Sequence, residues 1–395
     1  MTVLAVNAGS ATLKFALYAL DDQGDGPVLL SGNVDGLATT GPLALSWTVN
    51  GVSAHETVQC GAEDPFAAAL QSLQSLLLRT GVGAKLRAVA HRVVHGGGVY
   101  QQAVQVNDTV LQELQRFCTL APLHQPHNLA GIRAFTRAFP STPQIACFDT
   151  AFHASLPEVE YRFALPAELL AQGLRRYGFH GLSYQYVANT LLGLTPRAQG
   201  RVIMAHLGSG ASVCAMVQGQ SRATSMGFSA VDGLMMGTRS GALDAGVLLH
   251  LLSQGWDHAR LEQLLYRQSG LLGVSGLSSD MRRLRASNDS RAKLAIEMFT
   301  YRTIREIGAL IASIGGLDAL VFTGGIGEND AMLRSDVCEK LHYLGIQIDV
   351  QKNSSVTSRE TTALHILGSA VEVWVVQTDE GRVAAQLAIE AFRTG

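Results

Sequence analysis

The stretch VLAVNAGSATLKFALYAL, residues 3–20, sets two runs of strand character, residues 3–6 and 13–17, on either side of Asn7-Ala8-Gly9-Ser10-Ala11-Thr12. Asn, Gly and Ser are ordinary hairpin-turn residues, so one such turn asks for no function. Residues 202–217, VIMAHLGSGASVCAMV, repeat the pattern: an apolar strand, a Gly/Ser turn with hydroxyls, a second apolar strand. Setting Gly9 on Gly208 aligns the two with one residue inserted in the second turn, and brings Asn7 opposite His206, two places before each glycine. This echo predicts two related α/β domains, each presenting a hairpin turn to a shared cleft.

Length agrees, since 395 residues exceed what one core usually holds. Strand-like and helix-like segments alternate throughout, as in an α/β protein. A helix is expected from Asp64 as N-cap and Pro65, with Phe66, Leu70, Leu73 and Leu77 on one face and a stop near Gly81. A second is expected from about Ser290 to Ile314, followed by the apolar strand 319–322 and a third glycine loop, Thr323-Gly324-Gly325-Ile326-Gly327-Glu328-Asn329.

Composition excludes several functions. Thirty basic against 32 acidic residues leave a formal charge of -2, with no footprint for nucleic acid or a membrane surface. No apolar run has the length of a membrane span, and the N-terminus lacks the features of a secretion signal, which places the chain in the cytoplasm. The five cysteines (60, 118, 147, 214, 338) are scattered without C-x-x-C spacing, as in a reducing compartment. His91 and His95 fall in what reads as one strand, about 13 Å apart at roughly 3.3 Å per residue, too far to share a metal.

Gly-rich turns with hydroxyls bind phosphate, because successive backbone N–H groups converge on an anion and no side chain blocks it. Neither hairpin matches the Walker pattern, as Lys14 lies beyond the turn in the second strand. The strings NAGSATLKF, HRVVHGG, APLHQPHN, FDTAFH, RRYGFHG, HLGSGAS, TSMGF, GLMMGTRSG, SSDMR, FTGGIGEN and TDE, in this order from residue 7 to residue 380, resemble the acetate kinase family. That resemblance implies the fold of the sugar-kinase, actin and Hsp70 superfamily, two ribonuclease-H-like domains flanking a nucleotide cleft. The expected division is residues 1–149 with 376–395 as one domain and 150–375 as the other, the second carrying most nucleotide contacts and pairing the chain as a homodimer.

The implied reaction is reversible transfer of the ATP γ-phosphoryl group to acetate, giving ADP and acetyl phosphate, with Mg2+ or Mn2+ in its place. By the same resemblance Arg92 holds the acetate carboxylate, Arg239 and His180 stabilise the transferring phosphoryl group, and Asn7 and Glu380 neighbour the metal. Asp149 matches the family's acid/base residue. Acetate arrives ionised, so an electrostatic or water-mediated metal role suits Asp149 better. Nucleotide contacts fall on Lys14, on His206, Leu207, Gly208, Ser209 and Gly210, on Asp280, Met281 and Arg282, and on Gly324, Gly325, Ile326, Gly327, Glu328 and Asn329. The acyl pocket draws on Val94, Leu123 and Ala230.

The chain departs from the family's usual strings in five places. Ala11 and Thr12 stand in a run of serines, Ser209 replaces an amide, and Ala230 replaces a proline. GFHGTSH becomes GFHGLSY, ending on Tyr184, and TDEE ends in Gly381. Propionate is the rival substrate, since one methylene in an apolar pocket is worth only about 1–3 kcal/mol. An actin- or Hsp70-like ATP-binding module is the rival of another class, and it has no use for a carboxylate clamp.

Overall fold

The computed structural model describes residues 2–394 apart from 22, 23, 25, 40, 61–63, 123, 358 and 359. The chain forms two compact units, Met1–Ala151 with Asp379–Gly395, and Phe152–Thr378.

The strands of the first unit are β1 (Thr2–Ala8), β2 (Thr12–Ala19), β3 (Val28–Asp35), β4 (Leu43–Val49), β5 (Val52–Val58), β6 (Leu86–Val93), β7 (Val104–Gln105) and β8 (Gln144–Phe148). They form one sheet in the order β5-β4-β3-β2-β1-β6-β8-β7. β1 to β5 are antiparallel neighbours, whereas β1, β6 and β8 run parallel. Val3, Leu4, Ala5 and Val6 are all buried, the continuous apolar run of a strand covered on both faces. The helix Pro65–Thr80 starts on its proline, ends on the left-handed Gly81 (φ 70°), and buries Leu70, Leu73, Leu76 and Leu77 against Leu4, Leu13 and Phe15. Asp64 occupies the N-cap position, but its side chain makes no capping hydrogen bond. The helix Glu380–Thr394 packs on β1 and β6.

The second unit contains β9 (Arg201–Leu207), β10 (Ala211–Val217), β11 (Gln220–Thr224), β12 (Ala319–Thr323), β13 (Thr362–Ala363) and β14 (Glu372–Val375), ordered β11-β10-β9-β12-β14-β13. β9, β10 and β11 are antiparallel neighbours, and β9, β12 and β14 run parallel. The helix Gly181–Leu192 covers this sheet through Tyr184, Val187 and Leu191, packed with Met204, Cys214 and Val321. The arrangement β3-β2-β1-β6-β8 therefore recurs as β11-β10-β9-β12-β14 with the same strand directions. This is the ribonuclease-H-like topology, present twice.

Three local expectations change. In the first hairpin Ala8 pairs with Leu13, leaving residues 9–12 in the turn; in the second Leu207 pairs with Ala211, leaving 208–210. The extra residue is thus in the first turn, so Asn7 faces Lys14 and His206 faces Ser212. The strand holding His91 ends at Val93, leaving His95 beyond it. The glycines after β12 are not a loop but a short helix, Gly324–Asn329. Gly324 adopts φ 77°, where a Cβ would meet the Leu207 backbone at 2.9 Å, and its N–H donates to Glu328 Oε1 at 2.9 Å. That carboxylate satisfies a first-turn amide, which lets a glycine-rich run stay helical.

Candidate active site

In the first unit the candidate residues gather at the carboxyl ends of parallel strands, where open α/β sheets bind ligands. Val6 pairs with His91, so Asn7 and Arg92 follow that pair one residue before the ends of neighbouring strands, and the Asp149 amide donates to Val93 O at 3.0 Å. Arg92 is held from two sides. Its Nη2 lies 2.7 Å from Asp149 Oδ2, with Nε 3.1 Å from both Asp149 oxygens, and its Nη1 lies 2.8 Å from Glu380 Oε2. Burial works against the charge, but the Asp149 and Glu380 carboxylates and the Asp149 hydrogen bonds prevail and raise the guanidinium's pKa above its usual value. The fork expected to be open for acetate therefore already grips Asp149. Three of its five N–H donors are engaged by these carboxylates, which leaves two.

The donor chemistry here suits a hard cation. Magnesium takes one or two carboxylates and completes its shell with water and phosphate oxygens, and Asp149, Glu380 and the Asn7 amide offer oxygen ligands of that kind. Among the described residues no group of three or more His, Cys, Asp or Glu side chains gathers, so an all-protein cage is absent from them.

Two buried amides brace this end of the sheet, and sequence reasoning assigned them nothing. Asn128 donates to Ala8 O at 2.9 Å and accepts from the Val94 amide at 3.0 Å, tying the hairpin to the residue after Arg92's strand. Gln125 accepts from the His95 amide and donates to the His95 carbonyl. The available signal was an amide pair three residues apart on the buried face of one helix, Gln125–Ala138. His91 bonds Gln144 at 2.8 Å, His95 Nδ1 accepts from the Gly97 amide, and burial pushes both imidazoles down to about 4. Val94 is half-buried and Lys14 exposed; Leu123 lies outside the described residues.

In the second unit the residues gather about the turn 208–210. The Gly208 amide donates to Gly210 O, and the Gly237 amide donates to Ser209 O at 3.0 Å, stitching the hairpin to the turn that carries Arg239. A Cβ on Gly210 would lie 3.4 Å from Arg239 Nη2 and 3.5 Å from His180 Nε2, and one on Gly208 would lie 3.9 Å from the Gly325 amide. Glycine at these positions therefore lets the turn backbone lie directly against Arg239 and His180, two candidate cationic or donor groups. Arg239 Nη1 also donates to Ala230 O at 2.8 Å, linking it to the segment expected to line the acyl pocket.

His180 takes the left-handed conformation (φ 58°) at the start of the helix Gly181–Leu192. It stacks on His206 with ring centroids 4.2 Å apart, and its Nδ1 lies 2.8 Å from Ser212 Oγ. Behind it His153 is fully enclosed, with Nε2 donating to Phe179 O at 2.9 Å and Nδ1 receiving the Ser221 hydroxyl at 2.8 Å. Burial lowers the His153 pKa to about 4, so this ring is a neutral prop for the residue before His180. Asp280 caps the helix Met281–Arg285 and is pulled down to about 2 by its hydrogen bonds from Arg282, whose side chain is exposed; Met281 is buried. The helix Gly324–Asn329 keeps Gly325 and Asn329 exposed, Ile326 half-buried and Gly327 buried. Its Glu328 carboxylate also accepts the Thr378 amide at 3.2 Å.

Comparison with known proteins identifies the family. The model of the Acetokinase family matches residues 2–386. The chain is 47% identical over 392 residues to an acetate kinase of Rhodopseudomonas palustris, covering 97% of this chain and 96% of that one. A propionate kinase from Francisella tularensis superposes with TM-score 0.89 at 36% identity, covering 98% of both chains. The Porphyromonas gingivalis acetate kinase gives TM-score 0.86 at 37% identity over 99% of both chains. The chain belongs to the acetokinase family.

Proposed function

We propose that this phosphotransferase moves the γ-phosphoryl group of ATP to acetate, reversibly, giving ADP and acetyl phosphate. The observation that carries the reading is the set of groups around the glycine turn 208–210, Arg239 and His180 above all, together with a second arginine, Arg92, set among carboxylates. An acetate oxygen attacks the γ-phosphorus, the bond to the β-γ bridging oxygen breaks, and its electron pair leaves on ADP. Acetate is already ionised at neutral pH, so no general base is needed. The protein's work is alignment and neutralisation of charge. Arg92 offers its two remaining N–H donors to the acyl carboxylate while Asp149 and Glu380 fix its plane. Arg239 and His180 donate to the transferring group, and the turn amides hold the neighbouring phosphates. Lys14, Asp280 to Arg282 and Gly324 to Asn329 complete the nucleotide contacts in this reading. Asn7, Glu380 and Asp149 would hold Mg2+, which, when bound, neutralises phosphate charge and orients the phosphates. Purified protein should form ADP only when acetate is supplied with Mg-ATP; ADP release indifferent to acetate would overturn the assignment.

Propionate is the second reading, favoured by Ala230 and by the resemblance to the Francisella propionate kinase. Alanine where the family usually has proline leaves room for one or two methylenes, each worth roughly 0.8 kcal/mol when buried. Propionate kcat/KM is expected within about tenfold of acetate's, which corresponds to about 1.4 kcal/mol. Ala230→Pro keeps the carbonyl that Arg239 holds and should widen the gap in favour of acetate. A thousandfold rejection of propionate by the natural chain would place acyl selection elsewhere.

A homodimer in the cytoplasm belongs to the same reading. The helix Ala245–Ser253 buries none of its residues, and Leu243, Val247, Leu249 and Leu252 stand exposed on and beside it. Sedimentation should give twice the 42.0 kDa chain mass; a single-chain mass at micromolar concentration would contradict it. No helix among the described residues is long and apolar enough to cross a membrane.

A further inference from the structure

His180 sits at the end of a buried chain of hydroxyls. Tyr184, on the first turn of the helix Gly181–Leu192 and wholly enclosed, places its hydroxyl 2.5 Å from Ser212 Oγ, and Ser212 Oγ lies 2.8 Å from His180 Nδ1. The direction of this chain follows from its inner end. The Tyr184 hydroxyl is wholly enclosed and its hydrogen needs an acceptor, which Ser212 Oγ supplies. The phenol therefore gives its own hydrogen to Ser212, and the Ser212 hydrogen then has Nδ1, 2.8 Å away, as its acceptor. An imidazole that accepts at Nδ1 carries its proton on Nε2 when neutral. Nε2 is the nitrogen turned toward Gly210, 3.5 Å from where a Cβ would stand there. Titratable and charged groups facing this ring among the described residues include His206, stacked on it with its own Nδ1 2.8 Å from Ser183 Oγ, and Arg239 across Gly210. Burial raises the Tyr184 phenol well above its ordinary value, which keeps it a donor throughout the working range.

We propose that Tyr184 and Ser212 are positioning residues that fix His180 as its Nε2–H tautomer, so that the ring meets an anion at the hairpin turn as a hydrogen-bond donor. The proposal rests on the reading that His180 serves phosphoryl transfer. It also gives a role to Tyr184, which stands where the family's usual string has histidine. Without the relay the ring could place its proton on Nδ1 and turn a lone pair toward the phosphate, a repulsive arrangement.

The test uses the full chain labelled with 15N-histidine, the His180 ring nitrogens assigned by comparison with His180→Gln, at about pH 8.5 where an unperturbed imidazole is neutral. The natural chain should show Nε2–H alone. Ser212→Ala should move much of the population to Nδ1–H and lower kcat about tenfold, with KM for ATP and acetate within about twofold. Tyr184→Phe, which keeps the ring's packing, should do the same to a smaller degree, and it carries the test if Ser212→Ala fails to fold. Finding Nδ1–H in the natural chain, or nitrogen shifts unchanged in the variants, overturns the relay. A shifted tautomer with unchanged kcat upholds the relay and removes His180 from the transfer step.

Discussion

Arg239→Lys is expected to lower kcat by about a thousandfold while leaving the KM for ATP within a few-fold, the mark of an interaction made mainly in the transition state. The structure gives the reason. Arg239 spends one N–H on the Ala230 carbonyl at 2.8 Å, and its Nη2 borders the space beside Gly210. A planar guanidinium meets both demands from one rigid position. An ammonium is a single point on a flexible stem and satisfies one or the other. Removing a single preorganised donor to a developing charge costs about 10²–10³ in turnover, and a lysine here loses both a donor and the plane that aims it. Arg92→Ala should behave differently, raising the acetate KM about 10–100-fold, because charged hydrogen bonds to a substrate carboxylate are worth about 1.5–3 kcal/mol. Steady-state kinetics on both variants checks the division. Equal losses of ATP affinity in the two would show that neither arginine has the assigned task.

The sequence makes the repeated hairpin visible because strand–turn–strand patterns are local, and the structure builds both hairpins into the same five-strand arrangement. It misplaces the extra residue because the letters GSA align best with a gap on one side, whereas ladder hydrogen bonds decide the pairing. The glycine run after β12 reads as a loop for a similar reason. Its helix depends on the Glu328 carboxylate returning to the Gly324 amide, a contact that propensity does not contain. Arg92, Asp149 and Glu380 were legible singly, each inside a recognisable string. That they bind one another joins positions 57 and 288 residues from Arg92, which no window along the chain reports. The braces Asn128, Ser212 and His153 were missed on the same ground. Each looks like an ordinary polar residue until the backbone groups it satisfies come into view.

Arg334→Met is expected to lower stability by about 3–5 kcal/mol, the largest effect on folding anticipated for a single change outside the candidate site. Arg334 is 1% exposed, the largest of the fully buried side chains among the described residues. Its Nη1 donates to the carbonyls of Gly327 and Glu328, its Nε to Asn353 Oδ1 and its Nη2 to Asn353 O, all within 2.9 Å. Burial lowers its pKa despite the opposing pull of Asp330, whose carboxylate is also bonded by Arg285. The charge is thus held chiefly by neutral carbonyls at the end of the helix Gly324–Asn329, groups with no partner inside that helix. Methionine fills much of the volume but leaves those acceptors buried and unpaired, at about 1–3 kcal/mol each. Because Glu328 ties the same helix to the Gly324 and Thr378 amides, slackening its end should weaken nucleotide binding as well. Thermal melting should show a fall of roughly 10 °C, given about 2–4 °C per kcal/mol for a unit of this size. Saturating Mg-ATP should raise the melting temperature of the variant less than that of the natural chain. Arg334→Lys should fall between the two, since it keeps the charge and loses part of the fork. A melting temperature within 2 °C of the natural chain would show that solvent reaches those carbonyls and that the buried guanidinium does not hold the helix.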